Sequence, residues 1–266
     1  MIKPLNIFLG DTSISRSVNG CTIALTHYNG NEIFEEWHAH EHSSISFLLN
    51  GTHEEDLTGK NYKRVSGDIK FIPAGEVHRC HHYTVDTRKI NIDLSDRFIR
   101  HIAIAEDRLA GSVPQAASTK FTLIKLYREL HNPGNHANTS AELLLYELFN
   151  PVAPANNKAG RTLPVWAERL RELLNDEWDR PFHLEDLSIR LGIHPVTISR
   201  YFPVYFSATL GIYINRIKID KALALIKSTA MPLTDIAYAC GFADQAHFTR
   251  TFKSFTGCLP KEFRKL

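Results

Sequence analysis

The chain has no Cys-x-x-Cys pair, no run of about 18 apolar residues, and no segment built like an export signal. Its four cysteines, Cys21, Cys80, Cys240 and Cys258, are scattered. That spacing excludes a zinc ribbon or a dithiol redox centre and fits reduced thiols in a cytoplasm. The opening stretch MIKPLNIFLGDTSISRS holds one Lys ahead of an apolar run too short for a secretory signal, so a cytoplasmic protein with no membrane partner is expected. A strong charge of one sign is also missing: 31 basic and 29 acidic residues leave a net +2. With 43% hydrophobic and 23% charged residues, the chain has the makings of ordinary packed domains rather than a disordered tail. At 266 residues there is room for two.

The small net charge hides an uneven distribution. From Arg161 onward there are 15 basic and 11 acidic residues, +4, and the preceding part carries −2. Eleven of the 14 histidines lie before residue 161. The surplus points to a nucleic-acid partner for the C-terminal part.

Short alternating segments fill residues 5–95: Cys21–Tyr28, Ser44–Leu49, Thr52–Leu57, Asp68–Ile72 and Lys89–Leu94, separated by Asn-Gly, Thr-Gly, Ser-Gly and Pro-Ala-Gly turns. Such spacing predicts a β sandwich or small barrel. Helical periodicity follows over Thr119–Leu130 and Thr139–Phe149. Asn150–Leu163, rich in Pro, Ala and Asn and without a period, reads as a linker. Val165–Trp178 is again helical. The domains expected are therefore 1–150 and 164–266, joined by 151–163.

The C-terminal part repeats itself. Leu184-x-x-Leu187-Ser188-x-x-x-Gly192 matches Leu233-x-x-Ile236-Ala237-x-x-x-Gly241 at an offset of 49, and Ile198-Ser199-Arg200-x-Phe202 matches Phe248-Thr249-Arg250-x-Phe252 at 50. Each copy is a short helix, a Gly turn and a second helix with aromatics on one side and polar or basic groups on the other, the form a helix-turn-helix presents to a major groove. The units are expected at about 184–206 and 233–255, with a connecting helix over about 209–227. At ~1.5 Å per residue that helix spans roughly 28 Å, close to the ~34 Å repeat of major-groove faces. Phe202, Phe248, Phe252 and Phe263 are expected in the core.

The run Ile236-Ala237-x-x-x-Gly241-Phe242-x-Asp244-Gln245-x-x-Phe248-x-Arg250-x-Phe252-Lys253-x-x-x-Gly257-x-x-Pro260-x-x-Phe263-Arg264 resembles the double helix-turn-helix domain of the AraC/XylS family of bacterial transcription regulators. The resemblance covers 166–266. The first copy departs from the pattern: Ser188 replaces a small Ala, Ser207 a Gly, and Lys218 the usual Arg of the connecting helix. Double-stranded DNA is the partner implied, with Val196, Ser199, Arg200, Gln245, Ala246 and Arg250 at base-reading positions. Thr197 and Thr249 flank them on the same helix faces. Arg suits guanine, Gln suits adenine, and small apolar groups suit a thymine methyl. Lys253, Lys218 and Arg216 are expected to touch phosphates or stand solvated.

In the N-terminal part, Trp37-His38-Ala39-His40-Glu41-His42 reads as a strand with its three imidazoles on one face. Gly67-x5-Pro73-x-Gly75-x2-His78 resembles the second cupin motif and His38-x-His40 the first, so a cupin-like barrel carrying two helices is implied. The chain as a whole is thus expected to be α+β and multidomain, with an all-α C-terminal domain. Matching positions give His38, His40 and His78 as ligands for a divalent metal, but Ser44 stands where the cupin carboxylate would be. Alternatively these histidines line an effector pocket, walled by Trp37, Phe47, Phe71 and Tyr83, with Glu41, Glu76 and Arg79 orienting a small polar molecule. The leading expectation is a non-enzymatic regulator with a small-molecule effector, no required cofactor, a homodimeric state built on the two helices, and RNA polymerase as a partner if it activates. The alternative is a metal-dependent cupin enzyme fused to a DNA-binding domain.

Overall fold

The structure, a computed structural model, describes residues 4–5, 8, 10–30, 34–102, 118–131, 134, 137–149 and 163–266. They form two compact units, one within 1–150 and one within 151–265. The expected linker, 151–163, lies outside the described residues except for Leu163.

The first unit is β-rich. Its strands are β1 (Pro4–Leu5), β2 (Asp11–Val18), β3 (Cys21–Tyr28), β4 (Ala39–His40), β5 (Ser43–Asn50), β6 (Thr52–Leu57), β7 (Lys60–Val65), β8 (Ile69–Ile72), β9 (His78–His81) and β10 (Thr87–Leu94). An antiparallel sheet runs β2-β3-β10-β5-β8, a second runs β7-β6-β9, and β1 pairs with β4 in parallel. The β2–β3 hairpin turns on Asn19-Gly20, both at positive φ (50° and 83°), the backbone form that matches strand twist in a two-residue hairpin.

Alternation gives the large sheet two different faces. Ile90 and Ile92 of β10 stand beside Phe47 and Ile45 of β5 and beside Leu25 and Ile23 of β3. All six side chains are buried. The alternate positions carry Lys89 and Asn91 on β10, Ser44 and Ser46 on β5, Thr26 on β3 and Lys70 on β8. One face is therefore apolar and the other polar, and both are covered.

Among the described residues three helices follow: α1 (Asp96–Ile102), α2 (Thr119–His131) and α3 (Ala137–Phe149). Helices α2 and α3 pack together and bury Phe121, Leu123, Ile124, Leu126, Leu145 and Leu148. Phe98 of α1 meets Phe149 edge to face at 5.3 Å. Arg16 of β2 donates to the carbonyls of Glu129 and Leu130, tying sheet to helix.

The second unit is all-helical: α4 (Val165–Asp176), α5 (Leu184–Leu191), α6 (Pro195–Phe206), α7 (Leu210–Ser228), α8 (Leu233–Ala239), α9 (Gln245–Thr256) and α10 (Pro260–Arg264). Leu170, Leu174, Leu187, Ile198 and Phe202 form one buried cluster. In the second half Phe242, Phe248, Phe252 and Phe263 meet in series, with ring centroids 5.3–5.8 Å apart. Each aromatic stripe is what fixes the angle between a helix and its neighbour, because it has no other place to bury its area.

The two Gly turns differ in what they demand. Gly192 (φ 65°) faces open space. Gly241 (φ 69°) has no room for a Cβ, which would lie 2.6 Å from the Asp179 carbonyl oxygen and 2.9 Å from Lys218 Nζ. Lys218 itself is buried and donates to the Gly241 carbonyl at 2.6 Å. Its ammonium also lies 5.6 Å over the Phe242 ring. The expectation that Lys218 touches phosphate or stands solvated is thus corrected: burial and a carbonyl acceptor make it a brace for the second turn. At the far ends of the second helices, Gly257 (φ 76°) closes α9, while Ser207 (φ 54°) holds the same left-handed position after α6. An L side chain there costs roughly 1–2 kcal/mol.

Two substitutions test this reading. Gly241→Ala should destabilise the helical unit by more than ~1 kcal/mol, and Ser207→Gly should stabilise it by about 1 kcal/mol. Urea unfolding followed by helical circular dichroism measures both; equal midpoints for the two variants would refute it.

Candidate functional site

Two places carry chemistry, one in each unit. In the helical unit the second helices of the repeats, α6 and α9, each keep one side out of the core. On α6, Val196 is 63% exposed, Ser199 and Arg200 are exposed, and Thr197 is half-buried. On α9, Gln245, Ala246, Arg250 and Lys253 are exposed, and Thr249 is half-buried with its hydroxyl donating to the Gln245 carbonyl at 2.8 Å. All nine residues expected to meet DNA therefore lie on the outer sides of these two helices. Arg200 lies over the neighbouring Tyr201 ring at 5.7 Å, and among the described residues neither it nor Arg250 is in an ion pair. Asp244 caps α9 by accepting from the His247 amide at 2.6 Å, and His194 caps α6 from Val196. Thr234, on the first helix of the second repeat, donates to Gln245 Oε1 at 2.8 Å. That bond holds the Gln245 amide in one orientation before any partner arrives. Nothing in the sequence periodicity pointed to Thr234, since the contact crosses from one helix to the next.

In the β unit, His38, His40 and His78 converge. Their metal-binding atoms lie within 4.8 Å of one another, and all three are buried. Backbone bonds in both directions between His38 and His78, each 2.9 Å, clamp the two segments together. His38 Nδ1 faces the Glu36 carbonyl at 2.8 Å and His78 Nδ1 faces that of Glu76 at 3.0 Å. A carbonyl only accepts, so each Nδ1 carries the proton and each Nε2 keeps its lone pair. Burial pushes the His78 imidazole down to about 4, so the ring is neutral. This is the state a metal ligand needs, with its second nitrogen anchored as metal-binding histidines usually are. His42, expected on the same face, is not with them: the chain bends at Glu41-His42, and His42 pairs instead with Asp93 at 3.1 Å. Three imidazoles fit a divalent ion of the zinc type without the missing carboxylate.

The triad opens into a cavity of about 570 Å³, its mouth included. Its lining comes from the polar face of the large sheet: Ser44, Ser46, Lys70, Lys89 and Asn91, with His53, Glu55 and Arg64 from the smaller one. Trp37, Phe47 and Phe71 were expected as its walls, and they are not. Phe47 and Phe71 alternate with Ser46, Lys70 and Ile72, and so point to the apolar side of the sheet. Trp37 is 41% exposed and lies under the Arg79 guanidinium at 5.0 Å. Tyr83, Glu41, Glu76 and Arg79 are also absent from the lining.

Charges in the cavity are paired internally. Glu55 accepts from Lys70 at 2.5 Å and Arg64 at 2.8 Å. Burial alone would raise its carboxyl, but those two cations outweigh it and hold it below the usual range. Tyr28 and Tyr83 stack on each other at 4.0 Å, and Lys89 Nζ lies beside the stack, 4.9 and 4.7 Å from the two ring centroids; it donates to the Tyr83 hydroxyl, which donates in turn to Glu35 at 2.7 Å. His53 stacks on Tyr83 and is kept neutral first by burial and then by Lys89, Arg64 and Lys70 nearby. Among the described residues, two buried polar atoms at the cavity have no protein partner: Ser44 Oγ and His53 Nδ1. Such atoms are costly unless something else satisfies them.

Because His78 is neutral when folded and takes a proton near 6.5 when unfolded, the unfolded chain binds more protons between pH 6.5 and about 4. Stability should hold above pH 6.5 and fall by up to about 3 kcal/mol as pH drops toward 4, with His53 adding to the same slope. Urea midpoints taken across this range with chelator present should decline, and less so for His78→Gln. A flat profile would contradict the assigned protonation state.

Comparison with known proteins assigns a family to each unit. A model of the AraC-like ligand binding domain matches residues 22–149, and a helix-turn-helix domain model matches 187–266. The transcriptional activator RhaS of Shigella sonnei is 25% identical over 251 residues, covering 86% of this chain and 87% of that protein. RhaS of Mannheimia succiniciproducens is 22% identical over 244 residues, covering 88% and 90%. A stretch of the Escherichia coli protein YkgA is 31% identical over 97 residues, 36% of this chain and 41% of that protein. With a ligand-binding barrel and a doubled helix-turn-helix matched separately and in this order, the chain belongs to the AraC family of DNA-binding transcription regulators.

Proposed function

We propose that the chain reads an operator with α6 and α9 and that a small molecule in the barrel cavity controls this reading. The observation that carries the proposal is the pair Arg200 and Arg250. They occupy equivalent repeat positions, and both are exposed and outside any described ion pair. Arg bonds both acceptors of guanine from this position on a recognition helix. Gln245, oriented by Thr234, reads a neighbouring base; Val196 and Ala246 meet thymine methyls; Thr197, Ser199 and Thr249 support them; Lys253 holds a phosphate.

The cavity's own chemistry supports an uncharged effector. Glu35, Glu55 and Asp68 balance Arg64, Lys70 and Lys89 among the lining residues. What is left over is neutral: Ser44 Oγ and His53 Nδ1. A neutral, hydroxyl-bearing molecule of a few ångströms enters such a lining without leaving a buried charge unpaired. This reading needs no cofactor and places the protein in the cytoplasm as a homodimer. Leu143, 64% exposed on α3, is an apolar side chain available to a second copy. Both full-length relatives are called activators, and that supports RNA polymerase as a further partner.

The convergence of His38, His40 and His78 favours a second reading, a metal-dependent cupin enzyme joined to a DNA-binding unit. These three residues would hold the ion, which would supply Lewis-acid polarisation of a bound hydroxyl or carbonyl. Metal analysis of the purified chain separates the readings: less than one ion per chain, with effector-controlled DNA binding intact in His38→Ala, removes the enzyme.

The regulator reading is tested by titrating duplexes from upstream of its own operon, with and without neutral polyols. Arg250→Ala should lose about 1–3 kcal/mol of discrimination at one base pair, whereas Lys253→Ala should weaken specific and random duplexes alike. Retention of no duplex above random background, or equal loss on both duplex types for Arg250→Ala, would end this reading.

A further inference from the structure

A second group of metal-ligating atoms lies away from the cavity, on the three-stranded sheet. Glu54 of β6 stands directly opposite His81 of β9 in the antiparallel ladder. Alternation along β6 sends Glu55 into the cavity, so Glu54 and Asp56 point to the other face. His81 Nε2 lies 3.1 Å from Asp56 Oδ2. Asp56 also accepts from Asn61 at 2.7 Å and from Arg79 at 2.7 Å. An ionised carboxylate only accepts, so His81 Nε2 carries the proton and His81 Nδ1 is left with a bare lone pair. That lone pair faces His82 Nδ1 at 2.9 Å, and His82 Nδ1 lies 3.4 Å from Glu54 Oε2. His82 reaches this position from a left-handed backbone, φ 52°, which is unfavourable for a side chain other than Gly or Asn.

We propose that Glu54, His81 and His82 form a divalent transition-metal site on the outer face of the β7-β6-β9 sheet, separate from the histidine triad of the cavity. The spacing is that of one coordination shell. Two atoms bound at ~2.0–2.2 Å to a common ion stand ~2.9 Å apart in an octahedral arrangement and ~3.4 Å apart in a tetrahedral one. Two imidazoles and a carboxylate select an ion of the zinc or nickel kind over calcium or magnesium. Asp56 supplies the outer anchor that fixes the ligating nitrogen of His81, as carboxylates do behind metal-bound histidines. With the ion absent, a single proton shared between His81 Nδ1 and His82 Nδ1 holds the cluster; the ion takes that proton's place. Arg79 pairs with Asp56, and Lys63 stands opposite Glu54 on β7, so the carboxylates of the cluster are offset by two cations and the ion is held by ligand geometry rather than by net charge. The His82 side chain is 65% exposed and Glu54 39%, so water completes the shell and the ion enters without opening the fold. Occupancy ties the strand that supplies Glu55 to the strand that begins at His78, and so stiffens two edges of the effector cavity.

The test is a Zn²⁺ titration of the untagged full chain against a chromophoric chelator. In a His38→Ala, His40→Ala, His78→Ala background, one Zn²⁺ should remain bound, and adding His82→Ala or Glu54→Gln should weaken it at least tenfold. An unchanged titration on adding His82→Ala would overturn the site. Ni²⁺ broadening of amide signals in the wild-type chain gives an answer that does not depend on the triple variant folding. At one equivalent or below, signals of residues 54, 81 and 82 and their neighbours should broaden, and in His82→Ala they should not. Broadening restricted to residues around 38, 40 and 78, or none at all, would refute the proposal. Neither measurement involves DNA or effector, so its outcome is independent of the regulatory reading.

Discussion

The period of two along β5 and β10 is the constraint from which the barrel follows. Because Ile90 and Ile92 must meet Ile45 and Phe47 on one side, Lys89 and Asn91 are forced to the other, together with Ser44 and Ser46. A buried sheet with an apolar face can form the core of any domain. A sheet whose second face is also covered, yet polar, has to satisfy each of those groups locally. Ser46 bonds Asn91 and Asn91 bonds Thr26, and Lys89 finds Tyr83 and Glu35. Among the described residues, Ser44 Oγ and His53 Nδ1 are the buried polar side-chain atoms of the lining that this network leaves without a partner. Shifting β5 by one residue would exchange the two faces, so strand register and effector site are one specification.

The helical unit shows what a duplicated sequence keeps and what it varies. Both copies keep the apolar stripe, the Gly turn and the outward Arg. They differ where the second copy is braced. Gly241 is pressed against Asp179 and capped by Lys218, whereas Gly192 has space around it. Ser207 sits in a left-handed position that Gly257 occupies at less cost. The outer faces differ too: Val196 and Pro203 on α6 stand where Ala246 and Lys253 stand on α9. Both helices present an exposed Arg, and α9 adds an amide and an ammonium where α6 has Pro195 and Pro203.

Much of this was legible in the sequence, for a physical reason. Helical stripes, turn glycines and the repeat are local signals, and the elements they mark (α4 to α9, β3, β5, β6 and β10) lie close to where the pattern put them. The strands that the pattern missed include the two-residue β1 and the edges β2, β7 and β9, where the apolar alternation fades; the edge β8 keeps Ile69, Phe71 and Ile72 and was legible. The histidine triad was readable from motif spacing. The pocket lining follows strand alternation rather than aromatic character: Ser44, Ser46, Lys70, Lys89 and Asn91 reach the cavity beside Tyr28, Leu48, Ile72 and Cys80, while Phe47 and Phe71 fall on the apolar face. Lys218 and Thr234 depend on contacts between helices, which no periodicity encodes. His42 was lost to a two-residue bend.

Lys218 also changes how the unit's charge should be counted. The formal surplus of +4 from Arg161 onward includes an ammonium that is buried against a carbonyl. It includes Arg264 as well, whose guanidinium is turned inward to the Met231 carbonyl at 2.6 Å. Neither cation is free to displace the counter-ion cloud of a duplex. Each is one cation fewer for neutralising phosphates, so the slope of log affinity against log salt is shallower by about 0.9 for each of them than a count of every Lys and Arg in the unit would give.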